Sequence, residues 1–300
     1  MLSSMDQPAC TLLFPGQGTE ALGMAAGWEV HAPWRETMAV AEARTGAPLR
    51  RLMMEGPLEA LRAQRCAPYA VLAHSVGIYR TRRALGMPLP EAATGHSMGF
   101  YAALVAAEVV PLEAALDLIT TVEDQCDATF APGSMGMAFF IGVSEQELRQ
   151  VMGGLPEAVL SNRNGQAQFT VSGPVAALDE LVAALQPKAM KAGLLPVQHP
   201  LHGPHMAPLL PAIARRLSAV APAPPAFPLI SHFDGRLITD ATAWDEGLAS
   251  VALPVDWLQV VRRLQALRAP LAECGYGRQL AGLTRWADRS LEVVSFQGAP

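Results

Sequence analysis

The chain has 300 residues, of which 51% are hydrophobic and 16% are charged, and its formal net charge is −5. This composition supplies enough apolar side chain for a sizeable core and argues against a disordered protein. Because no run of lysine or arginine interleaves with aromatic residues, it also argues against a nucleic-acid-binding surface.

The sequence shows no feature of a secreted or membrane-spanning protein. The segment Met1–Cys10 lacks a basic stretch followed by an apolar run of signal-peptide length. No segment reaches the roughly 20 uninterrupted apolar residues that a membrane span needs. The cysteines are scattered without metal-ligand spacing, at Cys10, Cys66, Cys126 and Cys274. We therefore expect a reduced, cytoplasmic protein that binds neither a metal nor a membrane.

The N-terminal part of the chain contains two strand-to-loop transitions. The predicted strand Cys10–Phe14 runs into the tight loop Pro15–Gly18, and helical patterning follows. The short predicted strand Ala92–Thr94 is followed by the turn Gly95–Gly99 and then by an alanine-rich predicted helix, Phe100–Glu108. Strand, sharp turn and helix form the context of a nucleophile elbow, in which a strained serine is exposed at a helix N-terminus.

From about Gly133 the pattern changes to strand, helix, strand, strand, helix, strand, the order of a ferredoxin-like unit. The six predicted elements are Met135–Val143, Ser144–Met152, Ala158–Ser161, Gln168–Ser172, Val175–Leu185 and Gly193–Gln198. Asn162–Gly165 is predicted as the loop between the two middle strands. Ser144 to Glu147 resembles a capping box at the start of the first helix.

The C-terminal part returns to alternating helices and strands. Its predicted elements are the helix Pro208–Val220, the strand Phe227–Ser231, the helix Trp257–Leu267 and the strand Leu291–Phe296. We therefore predict an α/β fold with a large, α/β-hydrolase-like subdomain built on a parallel sheet from residues 1–132 and 199–300. Residues 133–198 are predicted to form an inserted ferredoxin-like small subdomain.

Ser97 is the first candidate for chemistry, because it occupies the serine position of a GxSxG pattern. The amide of Met98 could donate a hydrogen bond to an oxyanion there. The pattern alone is equally compatible with an ordinary glycine-bounded turn. The loop Pro15–Gly18 favours the catalytic interpretation, since it could supply Gln17 as a second oxyanion donor. It lacks the spacing of a phosphate-binding loop.

Three histidines, His199, His202 and His205, lie close together and could supply the base that a serine nucleophile needs. From the residues alone, any of the three could be that base. The prolines among them argue against a shared helical face, and no carboxylate lies within several residues. A metal site is therefore disfavoured.

These motifs together resemble those of the malonyl-CoA:acyl-carrier-protein transacylases and of polyketide-synthase acyltransferase domains, including trans-acting ones. The resemblance covers nearly the whole chain, from Cys10 to about Trp286. The motifs that carry it, in order and at family spacing, are Phe14–Gly18, Gly95–Gly99, Asn162 with Val171–Gly173, and His199–His202. The resemblance also implies the fold that the element pattern predicts.

The resemblance implies a role for each matching residue. Ser97 matches the acyl-accepting nucleophile and His202 its base, while Gln17 and the amide of Met98 match the oxyanion site. The matches at or near the acyl pocket are His199, Leu201 and Asn162. His205 has no counterpart.

One departure from the family bears on the acyl group. Malonyl-type members carry an arginine about 25 residues after the nucleophile, and its guanidinium pairs with the free carboxylate of malonate. That position is Val122 here, and no arginine lies between Arg83 and Arg149. Because a buried carboxylate without a partner is costly, we predict that malonyl is not the preferred acyl group.

Two other departures concern the surroundings of the nucleophile and the base. Phe100 replaces a glutamate or glutamine that often follows the elbow, and we expect it to contribute an apolar lining to the acyl pocket. Ser250 stands where a glutamine commonly orients the histidine through its backbone. We therefore place both residues at the pocket.

The expected activity is the transfer of an acyl group without a free carboxylate between carriers in polyketide or other natural-product biosynthesis. It starts from thioesters of acyl carrier protein or CoA and passes through an acyl-Ser97 intermediate. The alternatives are an acyl hydrolase that removes stalled chains from carrier proteins and a malonyl-CoA:acyl-carrier-protein transacylase. The resemblance implies a carrier-protein partner, a phosphopantetheine thioester as the substrate arm, no tightly bound cofactor and a monomer. Arg163 and the Arg215–Arg216 pair are candidates for steering the carrier.

Two other classes fit the sequence less well. A general esterase of the α/β-hydrolase type would share the GxSxG pattern but explains neither the Pro15–Gly18 loop nor the ferredoxin-like pattern, and it needs an acidic triad member. A non-catalytic scaffold that binds carrier proteins gives no reason for retaining Ser97, His202 and Gln17.

Overall fold

The computed structural model describes residues 9–300, so most of the segment predicted to lack a leader lies outside the described residues. Residues 9–300 form eleven strands and twelve α-helices. The strands are β1 (Thr11–Phe14), β2 (Ala92–Gly95), β3 (Met135–Ile141), β4 (Val159–Gly165), β5 (Gln168–Pro174), β6 (Lys191–Leu194), β7 (Leu229–Ile230), β8 (Leu237–Ile238), β9 (Val255–Asp256), β10 (Leu271–Glu273) and β11 (Val293–Ser295).

The helices surround two sheets that these strands form. They are α1 (Ala32–Thr45), α2 (Leu49–Glu55), α3 (Leu58–Leu61), α4 (Ala67–Ala84), α5 (Gly99–Ala106), α6 (Leu112–Thr129), α7 (Glu145–Met152), α8 (Val175–Leu185), α9 (Leu210–Arg216), α10 (Thr242–Ala249), α11 (Trp257–Leu267) and α12 (Gln279–Ala287). A 3₁₀ turn, Pro204–Leu209, precedes α9. Among residues 9–300, none of the helices combines the length and apolar character required to cross a membrane.

The larger sheet has the strand order β11-β10-β1-β2-β7-β8, and only β8 runs antiparallel to its neighbour. β1 and β2 pair in parallel with Phe14 opposite Gly95, so both strands end at the same edge of the sheet. The loop after β1 and the turn after β2 are therefore neighbours, although about 80 residues separate them in the sequence.

The smaller sheet has the order β6-β3-β5-β4-β9, and its first four strands pair antiparallel. With α7 and α8 as crossovers, this is the ferredoxin-like arrangement that the sequence pattern predicts, and the predicted α/β class is confirmed. The capping box at Ser144 is confirmed too, because Ser144 and Glu147 exchange both hydrogen bonds. β9 adds a parallel strand to this sheet from residues beyond 198.

The prediction of Asn162–Gly165 as a loop is wrong, because these residues complete β4. Asparagine and glycine have low strand propensity, but this segment pairs with β5 on one side and β9 on the other. Pairing with the neighbouring strands therefore outweighs the low strand propensity of these residues. The β4–β5 ladder contains two register shifts. The last strand of the unit, β6, begins and ends earlier than the predicted Gly193–Gln198.

Candidate active site

Ser97 lies in a strained turn between β2 and α5, with a positive φ of 55°. The flanking glycines are required by close backbone contacts. A Cβ atom on Gly95 would lie 2.0 Å from the carbonyl carbon of Gly99, and one on Gly99 would lie 2.0 Å from the carbonyl oxygen of Phe14. The turn is thus packed against the end of β1, which fixes the serine at the carboxyl edge of the sheet.

His202 is the one of the three clustered histidines that contacts Ser97. Its Nε2 lies 2.6 Å from Ser97 Oγ, and its Nδ1 lies 2.6 Å from the backbone carbonyl oxygen of Ser250. Since a carbonyl only accepts, Nδ1 carries the proton and Nε2 is free to accept the serine proton. His202 also has a positive φ, 61°, so both members of the pair are held in strained backbone.

Ser250 therefore takes the place of an acidic triad member through its main chain. It is buried, and its side chain does not line the cavities at Ser97, so its predicted position in the acyl pocket is wrong. Ser250 does orient the histidine through its backbone, as its position in the sequence predicted. Its carbonyl oxygen, at the end of α10, accepts a hydrogen bond from His202 Nδ1 and fixes the orientation of the imidazole.

Burial lowers the pKa of His202 to about 4, because the protein interior disfavours the charged imidazolium. The Ser250 carbonyl opposes this shift, and the neighbouring His96 adds to it. The imidazole is therefore neutral at pH 7, which is the form that can accept a proton from Ser97.

This shift leads to a prediction for pH dependence. Acylation of Ser97 is expected to stay nearly constant from neutrality down to about pH 5 and to decline as the pH approaches about 4, because only then does His202 become protonated. Initial rates of acyl-enzyme formation across this range measure the effect, with circular dichroism as a control for folding. If the acylation rate instead declined near about pH 6.5, the usual pKa of histidine, the lowered pKa of the His202 base would be contradicted.

Gln17 and Met98, the two residues predicted for the oxyanion site, both line the small cavity together with Ser97. Within residues 9–300, neither the amide of Gln17 nor that of Met98 donates a hydrogen bond. Met98 directly precedes α5, where the helix N-terminus favours negative charge. The Gln279 side chain donates to the Gln17 carbonyl oxygen at 3.4 Å and holds the loop. The positions fit an oxyanion site made by these two amides.

Two cavities meet at Ser97. The larger, about 350 Å³, lies between the two sheets and includes the predicted residue Asn162. The smaller, about 40 Å³, is mostly apolar, and its lining includes Val122 and Leu201, two of the residues predicted for the acyl pocket. Its remaining lining residues are Gln17, Pro68, Met98, Tyr101, Ile119, Glu123, His202 and Val251. An adjoining cavity of about 110 Å³ includes His199.

The prediction that Phe100 lines the acyl pocket is wrong. Its side chain is fully buried, and its ring packs against His232 with 4.6 Å between centroids. Phe100 lines neither of the cavities that reach Ser97. It lies on the first turn of α5, and the helix directs it into the core rather than toward the cleft.

The structure adds residues that the sequence alone did not assign to the site. Asn164 Oδ1 lies 2.6 Å from His96 Nε2, which links β4 of the smaller sheet to the residue before the nucleophile. Glu123 lines the small cavity beside Val122 and contacts Gln64, a residue in the segment between α3 and α4. Glu123 was recognisable as a neighbour of Val122, but nothing local in the sequence indicates Gln64 or Asn164.

The remaining histidine of the cluster points elsewhere. His205 donates from Nε2 to the backbone carbonyl oxygen of Glu157, away from Ser97. In the described part of the chain, no group of three or more histidine, cysteine or acidic side chains is arranged to hold a metal ion.

Similarity to known proteins agrees with this geometry. Residues 11–255 match the acyl transferase domain family. The malonyl CoA-acyl carrier protein transacylase of Salmonella typhimurium is 31% identical over 280 residues, which cover 91% of each protein. The crystal structure of the malonyl-CoA:acyl carrier protein transacylase from Xanthomonas oryzae pv. oryzae superposes with a TM-score of 0.89 at 30% identity, covering 99% of this chain and 96% of that one.

A solved complex is also similar to this chain. It holds a malonyl-transacylase together with a type II polyketide-synthase acyl-carrier protein, and it gives a TM-score of 0.88 at 27% identity. The match covers 96% of this chain and 95% of that one. The likeness therefore extends over both sheets of the fold.

Proposed function

The chain belongs to the acyl transferase domain family, and from that premise we propose that it moves an acyl group without a free carboxylate between thioester carriers. The intermediate is an ester on Ser97. The observation that carries this proposal is the Ser97–His202 pair, 2.6 Å apart, at the mouth of a small apolar cavity lined by Val122.

The chemistry follows from the positions of the protons. His202 Nε2 accepts the proton of Ser97 as Oγ attacks the thioester carbonyl carbon, and the amides of Gln17 and Met98 donate to the developing oxyanion. When the tetrahedral intermediate collapses, the carbon–sulfur bond breaks and His202 returns the proton to the leaving thiolate. A second thiol then attacks the acyl ester, and the same steps run in reverse.

We propose an acyl carrier protein as partner, with its phosphopantetheine arm in the larger cavity. That cavity reaches Ser97 from between the two sheets, and its volume of about 350 Å³ suits a slender arm. The carrier protein named in the similar complex supports this assignment. Of the residues expected to steer the carrier, Arg163 is already paired with Glu145 and Asp256, which leaves its charge compensated.

The lining of the small cavity supports the proposed acyl class. Val122 is 6% exposed and points into this cavity, where no lysine or arginine is among the lining residues. A malonyl carboxylate placed there would lose its hydration without gaining a cationic partner. An uncharged acyl group meets no such penalty.

Malonyl transfer is the second candidate, because similar proteins are named malonyl CoA-acyl carrier protein transacylases. For that activity the protein would have to bind the carboxylate outside the small cavity. Arg62 lines the adjoining cavity, although its Nε lies 3.9 Å from Glu20, which competes for the guanidinium.

Loading of Ser97 distinguishes the two candidates. We expect butyryl-pantetheine to acylate the protein at least about 100-fold faster than malonyl-pantetheine, because an unpaired buried charge costs several kcal/mol and 1.36 kcal/mol corresponds to a factor of ten. Intact-protein mass spectrometry at short times measures both rates. Equal or faster malonyl loading would overturn the proposed acyl class.

The same preparation separates transfer from hydrolysis. The loaded protein is incubated with and without a holo carrier protein, and loss of the acyl mass is followed. We expect acyl loss to depend on the carrier thiol and the acyl mass to appear on the carrier. Loss at the same rate in buffer alone would identify an acyl hydrolase instead.

A further inference from the structure

Glu123 places a buried carboxylate at the small cavity. It follows Val122 on α6, is 7% exposed, and lines both the small cavity and the adjoining one. Its Oε2 lies 3.0 Å from His199 Nε2, and the side-chain amide of Gln64 contacts the same oxygen. Burying a carboxylate costs free energy of folding. Its position beside the acyl site therefore suggests that Glu123 has a function there.

Two arginines at the end of α6 that carries Glu123 pair with acids other than Glu123. Arg65 pairs with Asp124 and Asp127, at 3.0 and 2.6 Å. Arg216 lies 3.5 Å from Asp124. His199 is shared between Glu123 and Asp127, whose Oδ1 lies 3.7 Å from its Nε2. At this end of α6 two arginines, Arg65 and Arg216, face the three acids Glu123, Asp124 and Asp127, and both arginines pair with Asp124 or Asp127 rather than with Glu123.

Glu123 brings an acidic group to the lining of the small cavity. Among its lining residues Glu123 is the one acid, and the neutral His202 is the one other ionisable group besides Tyr101. Glu123 Oε2 is occupied by Gln64 and His199, which orient the carboxylate. Among the described residues no donor contacts the other oxygen, Oε1, which is therefore available to a ligand.

We propose that the acyl group carried by Ser97 ends in an ammonium, and that Glu123 is the residue that recognises it. This inference rests on the proposed acyl transfer and names the substrate class of the same site. A charge-assisted hydrogen bond from the ammonium to Glu123 would compensate both buried charges. A malonyl group would instead bring a second carboxylate against Glu123, which selects against it by repulsion.

The size of the cavity restricts the chain length. A volume of about 40 Å³ accommodates about three water-sized groups, which suits a short chain. A 3-aminopropionyl group has an ammonium where malonyl has its carboxylate, so the two are close in size and opposite in charge. Butyryl is the uncharged analogue of similar length.

The test compares these three acyl groups as pantetheine thioesters on the full-length protein. Initial rates of acyl-Ser97 formation are measured by intact-protein mass spectrometry. We expect 3-aminopropionyl to load about 10-fold faster than butyryl, in keeping with a charge-assisted hydrogen bond to a carboxylate. Glu123→Gln is expected to lower the ratio of the 3-aminopropionyl to the butyryl rate by about the same factor. Glu113→Gln, an exposed acid on the same helix, should leave the ratio unchanged.

The outcomes separate this inference from the proposed function. Butyryl loading as fast as 3-aminopropionyl, on the unmodified protein, overturns the role of Glu123 while leaving the acyl-Ser97 intermediate intact. This comparison needs no variant and stands even if Glu123→Gln fails to fold. Absence of an acyl adduct with all three thioesters overturns the proposed acyl transfer itself.

Discussion

Replacing Ser97 with alanine is expected to eliminate the acyl adduct and to lower acyl transfer by about 10⁴- to 10⁶-fold, the loss seen when an activated serine nucleophile is removed. Ser97 Oγ is the hydroxyl that His202 Nε2 contacts, at 2.6 Å, and Gln17 and Met98 line the small cavity together with Ser97. Without Oγ the thioester has no nucleophile to attack it at this position.

The effect of His202→Ala is expected to be nearly as large, and the double variant no worse than either single one. The two residues act as one unit, because the base matters only while there is a serine proton to accept. Steady-state transfer and intact-protein mass spectrometry measure all three variants. Losses that multiplied in the double variant would show that the serine and the histidine act independently.

His205→Ala provides the matched control. It removes a histidine three residues further along, whose Nε2 donates to the backbone carbonyl oxygen of Glu157 rather than contacting Ser97. Transfer by this variant should stay within about twofold of the unmodified protein, since surface changes of this kind are small. If Ser97→Ala still gained the acyl mass, the assignment of the nucleophile would fail.

The local parts of the site could be predicted from the sequence because each depends on a few adjacent residues. The elbow at Ser97 needs glycines because a Cβ atom at Gly95 or Gly99 would lie 2.0 Å from backbone atoms, and these glycines are visible in the sequence as a pattern. The loop after β1 reaches Ser97 because parallel neighbouring strands end at one edge. The alternation of strands and helices likewise predicted the ferredoxin-like sheet.

The remaining features depend on contacts between distant segments. The Ser250 carbonyl reaches His202 because α10 ends beside it. Every residue has such a carbonyl, so the type of residue at position 250 does not reveal this contact. Phe100 fits an apolar pocket as well as a core by composition, and only the direction of α5 distinguishes them. Gln64 meets Glu123 and His199 across three separate segments, which no local pattern records.

Acyl specificity is expected to change when the charge of the small cavity is reversed. Val122→Arg alone should change malonyl loading little, because the new guanidinium lies beside Glu123 and the two side chains can neutralise each other. Combined with Glu123→Gln, the arginine has no acid in the cavity to pair with. The double variant is then expected to load malonyl about 100-fold faster than the unmodified protein, since a buried carboxylate gains a bidentate partner.

The control for this prediction is Ala128→Arg, which adds the same charge at an exposed position of α6. It should leave malonyl loading unchanged, so that a general attraction of the anionic substrate is separated from binding in the cavity. Thermal unfolding of each variant shows whether the buried arginine is accommodated. A well-folded double variant that loads malonyl no faster would mean that the residues at 122 and 123 do not determine the acyl group. The residues that determine acyl specificity would then be expected at the adjoining cavity, where Arg62 could bind a malonyl carboxylate.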